Sequence, residues 1–514
     1  MLNARVAAIA LLFSFSVRTM RGIDQPQWGE AWTRNMVSNE KGLPESFDIK
    51  TGHHVKWSAQ LGTQTHSTPI VAHGRVYIGT NNGAPRDPRH QGDHGVLMVF
   101  EEKTGKFLWQ LVVPKREEDP YFDWPETGIS SPATVEGDRV YIVSNRGEVM
   151  CLDPMGMANG NDGPYTNEAA HCVPQRTGAS EFANTNSSAT IDGTSAPGLG
   201  PLDADILWLF DLTEGAGIWS HDAAHSSILI HGDYLYLNTG TGVDNTHKRI
   251  RTPDAPSLVV LDKRNGQLVA RDAEHIAPNI FHNTWSSPSL AQVEGSPLIF
   301  FGGGNGILYA FNAAITSGPS PRILRNVWQF DFDPDAPKTN VHRFNSNRRE
   351  GPSNFYGMPV FKENRIYVAG GGDLWWGKNE AWLKCIDPTK RDLEPGKRLI
   401  WSYPLQKHVL STPAIYDNMV FIADCGRKFH CVDARNGNSF WTHDVEGEVW
   451  ASPLVADGKV YLGTRSGAFY IFAADKQKKL LSITQLDSPM SATATAANGV
   501  LYVATMAHLY ALSL

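Results

Sequence analysis

The sequence predicts an all-β fold, an eight-bladed β-propeller whose last blade is closed by an N-terminal strand. Three observations carry that expectation. A unit of about 40 residues recurs down the chain, and fixed-period self-similarity marks a repeat architecture. Each copy reads as four short apolar strands, a to d, separated by Gly, Asp or Ser turns, too short and too Gly-punctuated for helices. The last copy stops at Leu512-Ser513-Leu514, where its d-strand should begin, and Val55-Lys56-Trp57 near the other end reads as that missing strand.

In chain order, residues 1–22 come first. Arg5 precedes an apolar run from Val6 to Val17, which reads as a signal peptide or a retained N-terminal anchor. Residues 23–46 read as an irregular leader, and 47–514 as the propeller. Phe47 to Gly52 resembles the turn between a c- and a d-strand, so Val55–Trp57 should pair the open edge of the last blade and tie down both termini.

The repeat is legible residue by residue. The a-strand signature is a small residue, Ser or Thr, then Pro, at Pro69, Pro132, Pro288, Pro413 and Pro453. Weaker copies stand at Ser226-Ser227-Ile228, Gly357-Met358-Pro359 and Ala492-Thr493-Ala494. A b-strand aromatic follows at Tyr77, Tyr141, Tyr236, Phe300, Tyr367, Phe421, Tyr461 and Tyr502. The c-strand ends in pairs such as Phe100-Glu101 or Val432-Asp433, then comes a Gly turn, then a d-strand with Trp109, Trp208, Trp328, Trp401 or Trp441. Cys151, Cys385 and Cys431 share one c-strand slot, so they should be buried small hydrophobes in separate blades rather than disulfide partners. Cys172 and Cys425 have no evident partner in sequence.

Blade 2 contains a polar Pro/Gly/Asn/Ser-rich insertion at 154–204, on the c–d side. Almost every other long insertion (81–94, 114–128, 211–224, 240–256, 271–284, 333–356 and 370–380) is a b–c loop or a d–a connection of blades 1 to 5. Those loops open on one face, so that face is the functional candidate, unless it is only decoration or a docking rim. The formal net charge of −7 gives no general pull toward nucleic acid or anionic membrane.

The position three before each a-strand Pro should ring one end of the central channel. It reads His66, Ile129, His225, Trp285, Tyr356, Leu410, Trp450 and Ser491. A mixed ring with two His, two Trp and a Tyr suits a ligand-facing role, with aromatic plugging of the channel as the alternative. Loops above add Arg89, Asp222, Asp244, Asn245, Arg249, His221, His247, His282, Trp375 and Trp376, among others. Arg, His and aromatics together suit a planar, anionic or hydroxylated ligand. The ring and loop candidates for cofactor or ligand binding are therefore His66, His225, Trp285, Tyr356, Trp450, Arg89 and Arg249. The His-rich set is also a candidate for a transition metal, and Asp244 and Asn245 for calcium.

The repeat, Ser-Pro, then Gly-x-Val-Tyr, then Leu-Asp, Thr-Gly and Trp, resembles the pyrroloquinoline quinone (PQQ)-like propeller family. That family includes quinoprotein alcohol dehydrogenases and the propeller lipoprotein of outer-membrane β-barrel assembly. The resemblance spans nearly all of the chain after about residue 45. Gly215 to Trp219 and then Leu235 to Gly242 are similar to the Gly-rich blade of the dehydrogenases, with its Gly-Thr-Gly-Asn calcium turn. In that register Thr241 stands for the Asn and His225 for the Trp under the quinone ring; an adjacent Cys-Cys pair is absent. The expectation is an exported propeller, periplasmic or secreted and not a lipoprotein, that binds a small ligand or an envelope protein through its loop-rich face. The alternative implied by the resemblance is a PQQ- and calcium-dependent oxidoreductase of alcohols or sugars, with Asp222 or Asp244 as its base.

Overall fold

The structure is a computed structural model that describes residues 23–116, 119, 121–169, 199–222, 227–389 and 395–514. The predicted segment 1–22, His225, Cys172 and most of the blade 2 insertion lie outside the described residues. Eight four-stranded antiparallel blades make up the sheets, two of which gain a short parallel fifth strand, Val37–Ser38 or Arg322–Ile323. Blade 1 holds Ile70–Ala72, Arg75–Asn81, His94–Glu101 and Phe107–Pro114 as its strands a to d. Blade 7, the most regular copy, holds Leu454–Ala456, Lys459–Gly463, Ala468–Ala473 and Leu480–Gln485.

One cross-strand pair repeats in every blade. The b-strand aromatic faces the small c-strand slot: Tyr77 opposite Val99, Tyr141 opposite Cys151, Tyr236 opposite Val260 and Phe300 opposite Ala310. Tyr367 faces Cys385, Phe421 faces Cys431, Tyr461 faces Ile471 and Tyr502 faces Ala511 in the other four. A large ring needs a small partner across the ladder, which explains why three of the cysteines fall there. Cys151, Cys385, Cys425 and Cys431 are all buried and free.

The ring closes as the sequence predicts. Val55–Gln60 pairs antiparallel with His508–Leu512, with Trp57 opposite Ala511. The turn before it copies the interior blades: Gly52 N–H donates to the Asp48 carbonyl at 3.0 Å and Asp48 N–H to His53 at 3.1 Å, as Gly437 does to Asp433 and Asp433 to Asn438. Gly52 and Gly437 both have positive φ, +78° and +77°, which a β-branched or bulky residue would resist. Five of the seams are then latched by a d-strand Trp lying on the next blade's turn. Trp57 Nε1 donates to the Glu102 carbonyl at 2.9 Å, Trp109 to Pro154 at 3.0 Å and Trp208 to Lys263 at 3.2 Å. Trp401 and Trp441 reach Ala434 and Asp475 in the same way. Only a glycine fits beneath the ring: a Cβ on Gly105 would stand 2.6 Å from Trp57.

The leader does more than lie over the disc. It crosses the end of the channel beside the a–b turns and bonds to every blade. The carbonyls of Gln25, Pro26, Trp32, Thr33 and Met36 accept the N–H groups of Val71, Val135, Leu290, Phe361 and Val455, and that of Ile23 accepts Asn498. The Asn35 amide bonds the Ile415 backbone in both directions, at 2.9 and 2.8 Å. Arg34, fully buried, gives its guanidinium to the carbonyls of Pro288 and Ser227 and so covers blades 4 and 3. With no carboxylate beside it among the described residues, burial pulls this guanidinium down to about 9.

Candidate functional site

Because the leader seals one end, the channel is a blind cavity of about 430 Å³ that opens toward the loop-rich face. Trp28 of the leader lies in its lining, with Nε1 donating to Thr493 at 3.2 Å. Of the ring residues, His66, Trp285, Tyr356, Leu410, Trp450 and Ser491 line the cavity. Its aromatic faces are ordered by mutual packing. His66 stacks on Trp450 with centroids 6.2 Å apart, and Trp285 on Tyr356 at 5.5 Å. Trp375, delivered by the blade 5 b–c loop, stands between the pairs at 5.7 Å from Trp285 and 6.1 Å from Trp450. Arg465 lies over Trp450 at 4.5 Å and donates to Ser491 at 2.8 Å, so this cation is already held.

The wall between blades 3 and 5 carries the charge. His221 belongs to the connection entering blade 3, His247 to its b–c loop and His282 to the connection leaving it, and their ring nitrogens lie within 4.8 Å of one another. Three distant segments meet there because the Gly240–Val243 strip threads between them: Ser220 bridges Thr241 on one side, and Gly242 bridges Asn283 on the other. A Cβ on Gly242 would stand 2.8 Å from the His221 Cβ and 2.7 Å from the His282 carbonyl oxygen, so glycine is required by close approach. Asp222 lies 3.5 Å from both His221 Nε2 and His282 Nε2.

Asp373 organises this wall from behind. It is fully buried, and its Oδ2 meets His282 Nδ1 at 3.0 Å and accepts from the Tyr356 hydroxyl at 2.6 Å. Its Oδ1 accepts the N–H groups of Trp375 and Trp376 at 3.0 and 2.8 Å, an Asx turn that sets both indoles. Desolvation opposes charge on both members of the buried pair, but each stabilises the other. Asp373 is held down at about 2, and His282, flanked by Asp373 and Asp222, is raised to about 9. His221, buried with weaker compensation, is pushed by desolvation to about 4 and is neutral at pH 7.

The remaining candidates sit elsewhere. Arg89 is paired with Asp87 and Asp203 and does not line the cavity. Arg249 is exposed and Asn245 points into solvent, both off the lining. The Asp244 carboxylate is taken by the Thr246 hydroxyl and N–H of its own turn, at 2.6 and 3.1 Å. Asp222 does line the cavity. Asp373, Arg465 and the floor position of Trp28 are site residues that sequence reasoning did not single out. The Gly371-Gly372-Asp373 run ahead of a Trp pair was the available signal for the first of them.

Fold and cavity define a class: a closed eight-bladed propeller with a plugged, aromatic-lined axial pocket. The chain belongs to the family described as outer membrane protein assembly factor BamB, whose profile matches residues 34–154, 93–329 and 379–513. Two curated relatives are each 22% identical. One is the dehydrogenase subunit of a quinone alcohol dehydrogenase from Gluconobacter oxydans, over 82% of this chain and 55% of that protein. The other is the lupanine 17-hydroxylase [cytochrome c] of a Pseudomonas species, over 81% of this chain and 56% of that protein. The chain therefore spans about half the length of these relatives. Among solved structures, BamB from Moraxella catarrhalis matches with a TM-score of 0.51 at 12% identity, over 90% of this chain and 97% of that one, a likeness of fold.

The donor set that the described residues bring to the cavity does not fit PQQ and calcium. PQQ carries three carboxylates, and among the described residues Arg465 is the one guanidinium in the lining. Calcium takes six to eight oxygen ligands, whereas Asp222 is the one carboxylate that the described lining offers. Thr241, in the register of the calcium-ligating Asn, is fully buried with its hydroxyl 2.8 Å from that of Thr239.

Proposed function

We propose that this chain is a binding propeller whose axial pocket takes an uncharged, hydroxylated ring ligand, a saccharide unit foremost. The observation that carries this reading is the blind cavity walled by the indoles of Trp28, Trp285, Trp375 and Trp450. Indole faces stack on the C–H faces of a sugar ring, and the neutral groups of Gln64, Thr68, Thr127 and Ser130 in the same lining match hydroxyls without asking for charge. Export to the cell envelope, through residues 1–22, accords with the family's description as an outer-membrane assembly factor.

A titration of the intact chain against mono- and disaccharides, followed by tryptophan fluorescence and thermal shift, tests the reading. Binding that weakens at least tenfold in Trp285→Ala and Trp450→Ala supports it. No response to any saccharide removes it. The relative described as a quinone alcohol dehydrogenase favours a second reading, a PQQ-dependent oxidoreductase. Reconstitution with PQQ and Ca²⁺ followed by a dye-linked alcohol assay decides that one, since turnover would install it in place of the first.

A further inference from the structure

We infer that His221, His247 and His282 form a binding site for one transition-metal ion of the zinc or copper type, with Asp222 as an oxygen ligand, on the wall of the axial cavity. The geometry comes first. His221 Nε2 and His247 Nε2 lie 3.3 Å apart. Ligand bonds of about 2.0–2.1 Å in a tetrahedral site place neighbouring donor atoms at about this separation. The ring nitrogens of all three residues fall within 4.8 Å, and Asp222 oxygens lie 3.5 Å from two of them.

The state of each nitrogen follows. His282 Nδ1 faces Asp373 Oδ2 at 3.0 Å, and that carboxylate fixes the ring so that Nε2 turns inward. Nε2 is buried in a side chain only 3% exposed and makes no well-formed hydrogen bond, the Asp222 carboxylate standing 3.5 Å away. An orphaned buried nitrogen is costly unless something fills it. A carboxylate behind a histidine is also the usual support of a metal ligand, setting its tautomer and raising its basicity. His247 is oriented on its other side by Trp376, centroids 4.7 Å apart.

Donor chemistry selects the ion. Three imidazoles and one carboxylate suit zinc, copper, nickel or cobalt, and are poor for calcium or magnesium, which require mostly oxygen. An entry path exists, because Asp222, His247 and His282 all line the cavity. The ion would present one side to whatever occupies the aromatic pocket. The inference does not require the saccharide reading, since it is read out by the metal alone.

The full chain, stripped with a chelator, is titrated with Zn²⁺ against a chromophoric competitor, and Co²⁺ is added to report ligand geometry by absorption. One equivalent bound, with a tetrahedral cobalt spectrum, is the expected result. His221→Ala or His282→Ala abolishes stoichiometric binding, and Asp373→Asn weakens it about 10- to 100-fold while leaving the stoichiometry intact. Because buried His221 and His282 also support the fold, half-buried His247→Ala is the decisive variant: it melts as the parent does and loses at least 100-fold in affinity. Failure of the parent chain to bind Zn²⁺, Cu²⁺, Ni²⁺ or Co²⁺ overturns the site, as does undiminished binding in a folded His247→Ala. Saccharide titration of the metal-free parent chain keeps this result separate from the fate of the ligand reading.

Discussion

The two ends of the central channel are built on different principles. At the closed end, the leader meets the blades through backbone: its carbonyls accept one N–H from the a-strand side of blade after blade. At the open end, the a-strands begin with unlike residues, and long loops bring in Trp375, Trp376, His247 and Asp373. Backbone bonding tolerates almost any side chain, so the closed end depends on a few anchors such as Arg34 and Asn35. The open end depends on the identity of nearly every residue. One end therefore holds the disc together, and the other is free to specialise.

Four changes would break or sharpen this contrast. Removing residues 23–38 strips the closed end of at least six backbone bonds at about 1 kcal/mol each, besides the Arg34 and Asn35 contacts. Chemical denaturation should show a loss of about 5 kcal/mol or more, or no folded protein. Trp57→Ala opens the seam between the first and last blades by deleting a buried indole and its bond to Glu102, and should cost about 3–5 kcal/mol. An equal loss from Trp375→Ala, 39% exposed at the open end, would contradict the division of labour, which expects well under half of that.

The third change concerns pH. In the metal-free chain His282, raised to about 9, contributes stability that is complete below about pH 6.5 and lost as pH climbs to 9. Asp373, lowered to about 2, contributes stability present above about pH 4 and lost as pH falls toward 2. The pair is worth most between these limits. Asp373→Asn should flatten the alkaline limb of a melting-temperature profile between pH 6.5 and 9, whereas Arg34→Met should lower the profile by a constant amount below about pH 8, where the guanidinium is charged in both states. The smallest effect separates two seams. Trp208→Phe loses its bond to Lys263 and about 1 kcal/mol. Trp328→Phe should be nearly neutral, because its Nε1 has no acceptor among the described residues while the face that receives Arg398 at 4.4 Å is retained.

Much of the site's position was legible and little of its composition. His66, Trp285, Tyr356 and Trp450 line the cavity because their place three residues before the a-strand Pro is a register fact, and register survives from repeat to repeat. Arg89 looked like a ligand-binding cation, yet Asp203, more than a hundred residues away, claims it. Asp244 looked like a metal ligand, yet its own turn consumes its carboxylate. His221, His247 and His282 stood in three separate insertions, and nothing in their spacing announces that one glycine strip draws them together.

The sequence by itself determined the repeat: strand order, the aromatic that faces the c-strand slot across each blade, the glycine turns beneath several seams and the strand that closes the ring. These are local patterns of period two and of turn chemistry, so they can be read without coordinates. Only the tertiary structure decided that the leader plugs the channel, that the cavity is blind, and that three histidines and two carboxylates share one wall. Those outcomes depend on where irregular loops return in space, and a loop's path is set by close packing between distant segments rather than by any pattern along its own residues.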